Sequence, residues 1–295
     1  MTSAMIELDA AWLAANPLPA LDGDTSKDGR GRVLVAGGAV DVPGALLLTG
    51  EAVLRVGAGK VRLATVDAAA PALGIAFPEA AVLALPTAHG EIGFGASDLL
   101  AEHVARADTV VLGPGMGSSG AAEALVRGVA AIDSEAALLL DAAAVVGAAG
   151  LAEVLAPWRG RLVLTPHCGE MAGLCDCDVD AIKADPAGIA RRIAADYGAV
   201  VVLKDAETVI ATPDGALLHF CGGGPGLGTG GSGDVLAGAI AGLLARGAAP
   251  LVAAGWGVWL HGGAGRRLAS EVGTVGFLGR ELLALLPRLL AEGAG

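Results

Sequence analysis

Short apolar runs alternate along this chain with longer segments of helical period, and that alternation confines it to an α/β architecture. The runs Arg32–Ala36, Val61–Val66, Ala80–Leu85, Thr109–Leu112, Ala137–Leu140, Leu162–Leu164, Val200–Lys204, Thr208–Ala211 and Leu217–Phe220 read as strands. Several are continuously apolar, which suits strands covered on both faces. Between them Gly44–Val56, Asp98–Ala105, Ala121–Ala131, Pro186–Tyr197 and Val235–Ala245 have helical spacing. A mostly parallel sheet with helices on both faces is therefore expected. Thr208–Phe220 differs, because two apolar runs flank Pro213-Asp214-Gly215, a turn signal that predicts a β-hairpin at one sheet edge. Beyond it Asp234–Arg246, Leu251–Ser270 and Phe277–Leu290 read as helices. No linker or repeat divides the chain, so residues 1–295 are expected to be one domain, with 1–26 a loose helical arm.

Composition narrows the partners. Apolar residues make up 54% of the 295 positions but aromatics only 3%, so the core must be built from Ala, Val and Leu. The net charge of −12 and the lack of a Lys/Arg run argue against nucleic acid. Apolar stretches are broken by Gly, Asp or Arg well before the ~20 residues of a membrane span. The start lacks a basic region and carries early acids, so no secretory leader is expected. Four cysteines (Cys168, Cys175, Cys177, Cys221) are too few for a disulfide framework at this length, which favours a reducing, cytoplasmic setting.

The 47 glycines cluster at the ends of apolar runs, most densely in Gly222-Gly-Gly-Pro-Gly-Leu-Gly-Thr-Gly-Gly-Ser-Gly-Asp234. Val235, Leu236, Ala239, Ile240, Leu243 and Leu244 then recur at helical spacing, so the glycines lie at a helix N-terminus. Unpaired N–H groups and the positive end of the helix dipole meet there, and glycines let that backbone close on phosphate oxygens. Asp234, in the first turn, would be repelled by such an anion if it were merely structural. Its use is as a base for a hydroxyl in phosphoryl transfer. A capped flexible loop is the bland alternative, but a cap needs one residue rather than eight glycines.

Other motifs are weaker. Gly57-Ala-Gly-Lys60 lacks the first glycine and the Ser/Thr of a P-loop, with Leu54 and Val61 in those places. Gly113-Pro-Gly-Met-Gly117 misplaces the third glycine of a dinucleotide fingerprint, yet follows a strand and can form a ligand-facing or an ordinary turn. His167, in Thr165-Pro-His-Cys-Gly-Glu170, could donate to a substrate or serve structure alone. Cys168, Cys175 and Cys177 match no C-x₂₋₄-C zinc spacing and read as small buried hydrophobes, so no metal-ligand set is expected. Lys204-Asp-Ala-Glu-Thr208 joins two strands and could reach a nucleotide or be a solvated turn.

Together these segments resemble the ADP/ATP-dependent NAD(P)H-hydrate dehydratases, in the stand-alone form of the carboxy-terminal half of the bifunctional repair enzymes. GRVLVAGG, RVGAGKVRLAT, VVLGPGMG, LLLDA, LTPHCGEM, VVLK, TVIATPDG, GPGLGTGGSGDVLAGAIAGLLARG, WLHGGAG and GTVGFLGREL occur in the family's order from Lys27 to Leu290. The resemblance implies a ribokinase-like three-layer sandwich with the hairpin at its edge. It implies ADP- (or ATP-) driven repair of hydrated NADH or NADPH, with Mg²⁺ assisting. Asp234 matches the family's base, and Gly230, Gly231, Ser232 and Gly233 its anion hole, with Gly233 also touching nucleotide. Lys204, Asp205, Ala206, Glu207 and Thr208 match the AMP-binding segment, and Ala45, Gly117, His167 and Asp234 the hydrate-binding positions. A homotetramer and a separate epimerase are also implied.

The chain departs from the family at Cys168, Asp205, Glu207, Gly224, Ala143 and Val275. Asp205 and Glu207 place acids near expected phosphates unless they point away or hold Mg²⁺. A vitamin-type kinase of the same fold, or a non-catalytic nucleotide or NAD(P)H sensor, would share the glycine turn.

Overall fold

The computed structural model describes residues 5–20 and 26–293. Its strands in chain order are β1 (Met5–Glu7), β2 (Arg32–Ala36), β3 (Lys60–Val66), β4 (Ala81–Leu85), β5 (Thr87–Ala88), β6 (Glu91–Ile92), β7 (Thr109–Leu112), β8 (Ala137–Leu140), β9 (Leu162–Leu164), β10 (Ala199–Leu203), β11 (Glu207–Ala211) and β12 (Leu217–Cys221). Ten of them form one sheet in the order β1-β12-β11-β10-β9-β8-β7-β2-β3-β4, while β5 and β6 pair separately. Only β11 runs against its neighbours, β10 and β12; the other pairings of the large sheet are parallel.

Alternation along each strand sorts side chains into two cores. Val33, Val35, Val111, Leu139, Val163 and Val202 join helices Ala45–Arg55, Ser232–Ala245 and Pro250–Glu271 on one face. Leu34, Ala36, Val110, Leu112, Leu138, Leu164 and Val201 join helices Ala96–Arg106, Ser119–Ala130 and Pro186–Tyr197 on the other. Both faces are apolar because both are covered, and the result is the expected three-layer sandwich.

The helix behind the glycine turn is held deep in the first layer. Of its residues, all from Val235 to Ala245 are buried. Gly238 and Gly242 make that depth possible. A Cβ on Gly238 would lie 2.2 Å from the Thr49 carbonyl oxygen, and one on Gly242 2.4 Å from a Val56 methyl. The two glycines thus let helix Ser232–Ala245 cross helix Ala45–Arg55 backbone to backbone.

Three expectations change. Residues 1–26 are not a loose helical arm where described: Met5–Glu7 pairs with Leu217–His219, and the helix Ala10–Ala15 buries Trp12 and Leu13. Residues 1–4 and 21–25 of that expectation lie outside the described ones. Burying one side chain such as Leu13 is worth about 1.5–3 kcal/mol, enough to dock a short segment. Consequently the hairpin β11–β12 is not the sheet edge, because β1 covers it. Phe277–Leu290 is two helices, Gly279–Leu283 and Leu286–Gly293. A further helix, Cys168–Cys175, starts at His167, where Glu170 completes a capping box.

Candidate active site

Loops after the carboxyl ends of parallel strands gather at one end of the sheet, the place where open α/β folds bind ligands. Asp141 follows β8, Thr165–His167 follows β9, and Lys204 follows β10. Thr165 Oγ1 donates to Asp141 Oδ1 at 2.7 Å, and Lys204 Nζ donates to the same oxygen at 2.8 Å. Lys204 Nζ also lies 3.9 Å from Glu170 Oε2. Asp141 is 2% exposed, so this ammonium is what makes its burial tolerable. Burial alone would lower the Lys204 pKa, but Asp141 and Glu170, with Asp234, outweigh it and hold the ammonium charged.

Asp234 is the third residue of helix Ser232–Ala245. Burial, then the charge of Asp141, push its carboxyl up to about 7 against the opposing pull of Lys204. Glu170 is raised too, first by burial. Three carboxyls thus share a single close ammonium.

The glycine turn forms the facing wall. Gly231 caps the helix at φ +87°, where any Cβ would sit 2.3 Å from Leu48 Cδ1. Nothing lies within 4 Å of where a Gly230 Cβ would be, so the backbone there faces open space. A Cβ on Gly233 would be 3.5 Å from Lys204 Nζ, which joins the two walls. Ser232 Oγ is hydrogen-bonded to His261 Nε2 at 2.8 Å, and both are buried. Burial lowers the His261 pKa to about 4, so its imidazole is neutral and anchors the turn without adding charge.

Between these walls lies a cavity of about 460 Å³, lined by His167, Lys204, Asp205, Ala206, Thr208, Gly223–Thr229, Ser232, Gly233 and His261, among others. Of the nucleotide-segment residues singled out by sequence, Glu207 is the exception. Its carboxylate turns away to His219 and Cys221. Asp205 does border the cavity, but its carboxylate is engaged by Ala206 N at 2.8 Å and by the Cys168 thiol at 3.2 Å. His167 borders it while its Nδ1 accepts from Gly169 N and Glu170 N, so the histidine also caps its helix.

Gly117 borders a second cavity of about 640 Å³, with His89, Glu91 and Phe94, and its N–H donates to Glu91 Oε1 at 3.0 Å. Ala45 lines neither cavity. It begins helix Ala45–Arg55, and a Cβ on Gly115 would lie 2.9 Å from its own. The positions expected to hold one substrate therefore ring the site rather than line a single cavity.

Sequence reasoning did not assign Asp141, Glu170 or His261. Signals for them existed. Asp141 ends a buried run of leucines, Glu170 stands three residues after His167, and His261 interrupts an apolar helix beside Gly262 and Gly263.

Fold and site together define a ribokinase-like α/β enzyme with a glycine-rich helix N-terminus beside a half-buried carboxyl. Residues 33–288 match the family model described as NAD(P)H-hydrate dehydratase, and the chain belongs to that family. It is 49% identical to the ADP-dependent (S)-NAD(P)H-hydrate dehydratase of Xanthomonas campestris pv. campestris, over 95% of this chain and 94% of that one. It is 38% identical to the bifunctional NAD(P)H-hydrate repair enzyme Nnr of Moorella thermoacetica, over 96% of this chain but 53% of that protein, so it spans about half the bifunctional enzyme. A solved ADP/ATP-dependent NAD(P)H-hydrate dehydratase from Bacillus subtilis, co-crystallised with ATP and Mg²⁺, superposes with a TM-score of 0.82 at 27% identity, covering 98% of this chain and 99% of that one.

Proposed function

We propose that this chain uses ADP to return the S form of hydrated NADH or NADPH to the dihydronicotinamide. The observation that carries the reading is Asp234: a carboxyl raised to about 7, in the first turn of a helix that starts from a glycine turn. A base of that pKa accepts a proton near neutral pH and stays basic enough to act. Asp234 takes the proton of the ring hydroxyl as its oxygen attacks the β-phosphorus of ADP, and AMP leaves. Gly230, Gly231 and Gly233 would hold the transferring oxygens by backbone N–H donation, with the Ser232 N–H, which donates to the Thr229 carbonyl, turning to join them. In the second step the phosphate departs with the carbon–oxygen bonding pair, the ring nitrogen supplies electrons, and a proton leaves the neighbouring carbon.

Lys204, Asp205, Ala206 and Thr208 form the nucleotide's side of the cavity, with His167, Gly117 and Ala45 toward the hydrate. The cluster of Asp141, Glu170 and Asp234 against one lysine carries excess negative charge and hard oxygen donors, which fits Mg²⁺. Glu170 and Asp141 would hold the ion, which supplies charge neutralisation for the phosphates. A cytoplasmic homotetramer working beside a separate epimerase completes the proposal. Among the described residues no helix is long and apolar enough to cross a membrane.

The test is repair of purified S-hydrate with ADP and with ATP, each with Mg²⁺, followed by recovery of dihydronicotinamide absorbance. Recovery with ADP exceeding that with ATP is expected. No recovery with either nucleotide overturns the proposal. A stable phosphorylated product in place of free phosphate would assign a kinase instead.

A further inference from the structure

A second group of chemically active side chains lies outside the cavity, on the strands beside the sheet's β1 edge. Glu207 of β11 pairs directly with Cys221 of β12, and Glu7 of β1 pairs directly with His219 of β12. His219 and Cys221 are two residues apart, so they share a face, opposite the buried Leu218 and Phe220. The register therefore stacks a thiol, an imidazole and two carboxylates on one patch of sheet.

The Glu207, His219 and Cys221 side chains are close enough to share one ion. His219 Nε2 is 2.8 Å from Glu207 Oε2 and 4.0 Å from Cys221 Sγ, and that sulfur is 3.3 Å from Glu207 Oε1. All three ligand atoms lie within 4.8 Å of one another. Tetrahedral zinc bonds to S, N and O imply ligand–ligand separations of about 3.4–3.6 Å, within small side-chain rotations of these. Glu7 supplies the remaining part. Its Oε1 sits 2.9 Å from His219 Nδ1, which donates to it; Nε2 donates to Glu207 Oε2, and a metal would bind there in place of the Nε2 proton. Among the described residues no lysine or arginine pairs with Glu7 or Glu207; both carboxylates pair with the His219 imidazole, one charge against two.

We propose that Glu207, His219 and Cys221 form a three-ligand site for a zinc-type divalent cation, with Glu7 orienting His219 and water completing the shell. Thiolate and imidazole select zinc or cobalt over magnesium and calcium. The ion would fasten three strands together and fix the outer side of the turn whose inner side borders the nucleotide cavity. The site is independent of the reaction proposed above.

The test uses the full chain, stripped with a chelator and titrated with Co²⁺ alone. A thiolate-to-cobalt charge-transfer band with intense visible bands should saturate at one ion per chain and be displaced by Zn²⁺. Cys221→Ser should remove the charge-transfer band. A Cys175→Ser, Cys177→Ser double variant should keep it. Glu7→Gln should keep the band while weakening affinity about 10–100-fold. A wild-type titration without the band overturns the proposal, and needs no variant to fold. So does a band that survives Cys221→Ser or is lost in the Cys175, Cys177 variant.

Discussion

The two walls of the cavity between Lys204 and the glycine turn are built on opposite principles. The glycine-turn wall is backbone: Ser232 and Gly233 border the cavity, Gly230 and Gly231 stand beside them, and a side chain at Gly231 would strike Leu48. The Lys204 wall is side chain, and it holds because one ammonium satisfies a buried carboxylate. A backbone wall presents dipoles that need no counter-ion, whereas a side-chain wall must balance its own charge before it can bind a ligand. Asp234 stands where they meet, and its raised pKa records the imbalance: three carboxyls, one lysine, little water.

Removing the meeting point should have the largest effect. Asp234→Asn is expected to lower turnover about 10²–10⁴-fold in the hydrate repair assay. It should also stabilise the fold at alkaline pH. A carboxyl near 7 when folded and near its ordinary ~3.9 when unfolded gives the folded state an extra proton between those values. Stability therefore falls as pH rises through that window, and the Asn variant lacks the fall. Tm at pH 8 should rise by roughly 2–4 °C for each kcal/mol recovered. Turnover of the unsubstituted chain should climb with pH through about 7, as the base loses its proton. A pH-independent rate would break the assignment.

Next in size, Lys204→Met leaves Asp141 buried and unpaired, and should cost about 3–5 kcal/mol in urea unfolding. A loss below 1 kcal/mol would mean that water, not the lysine, satisfies Asp141. Gly230→Ala tests the other wall. The position has open space, so the melting temperature should hold, while kcat/KM drops about 10–100-fold because a displacement near 1 Å spoils alignment. If stability falls with activity, the glycine is structural. Asp205→Asn should have the smallest effect, tightening ADP binding by about two- to fivefold in calorimetry, the scale of one exposed charge.

The same contrast explains what could be read from sequence. The backbone wall was legible in full, because glycine is a statement about space and a helix N-terminus follows from the period after Asp234. The sheet was legible from its apolar runs to within a residue or so, as at β10 and β11. Asp141, Glu170 and His261 were not assigned, since their meaning lies in neighbours far along the chain: Lys204 is 63 residues from Asp141. Likewise the sequence placed Glu207 in the nucleotide segment, but strand alternation turns its side chain away from the cavity. β1 escaped notice because three exposed residues carry no periodic signal.

That small strand has a consequence in time. β1 leaves the ribosome long before its partner β12, which lies about 210 positions later, as the Glu7–His219 separation of 212 shows. At ~5–20 residues per second the N-terminal segment waits roughly 10–40 s before its partner strand exists. That segment thus docks only after its partner strand is made, and the sheet stays unsealed at that edge until then.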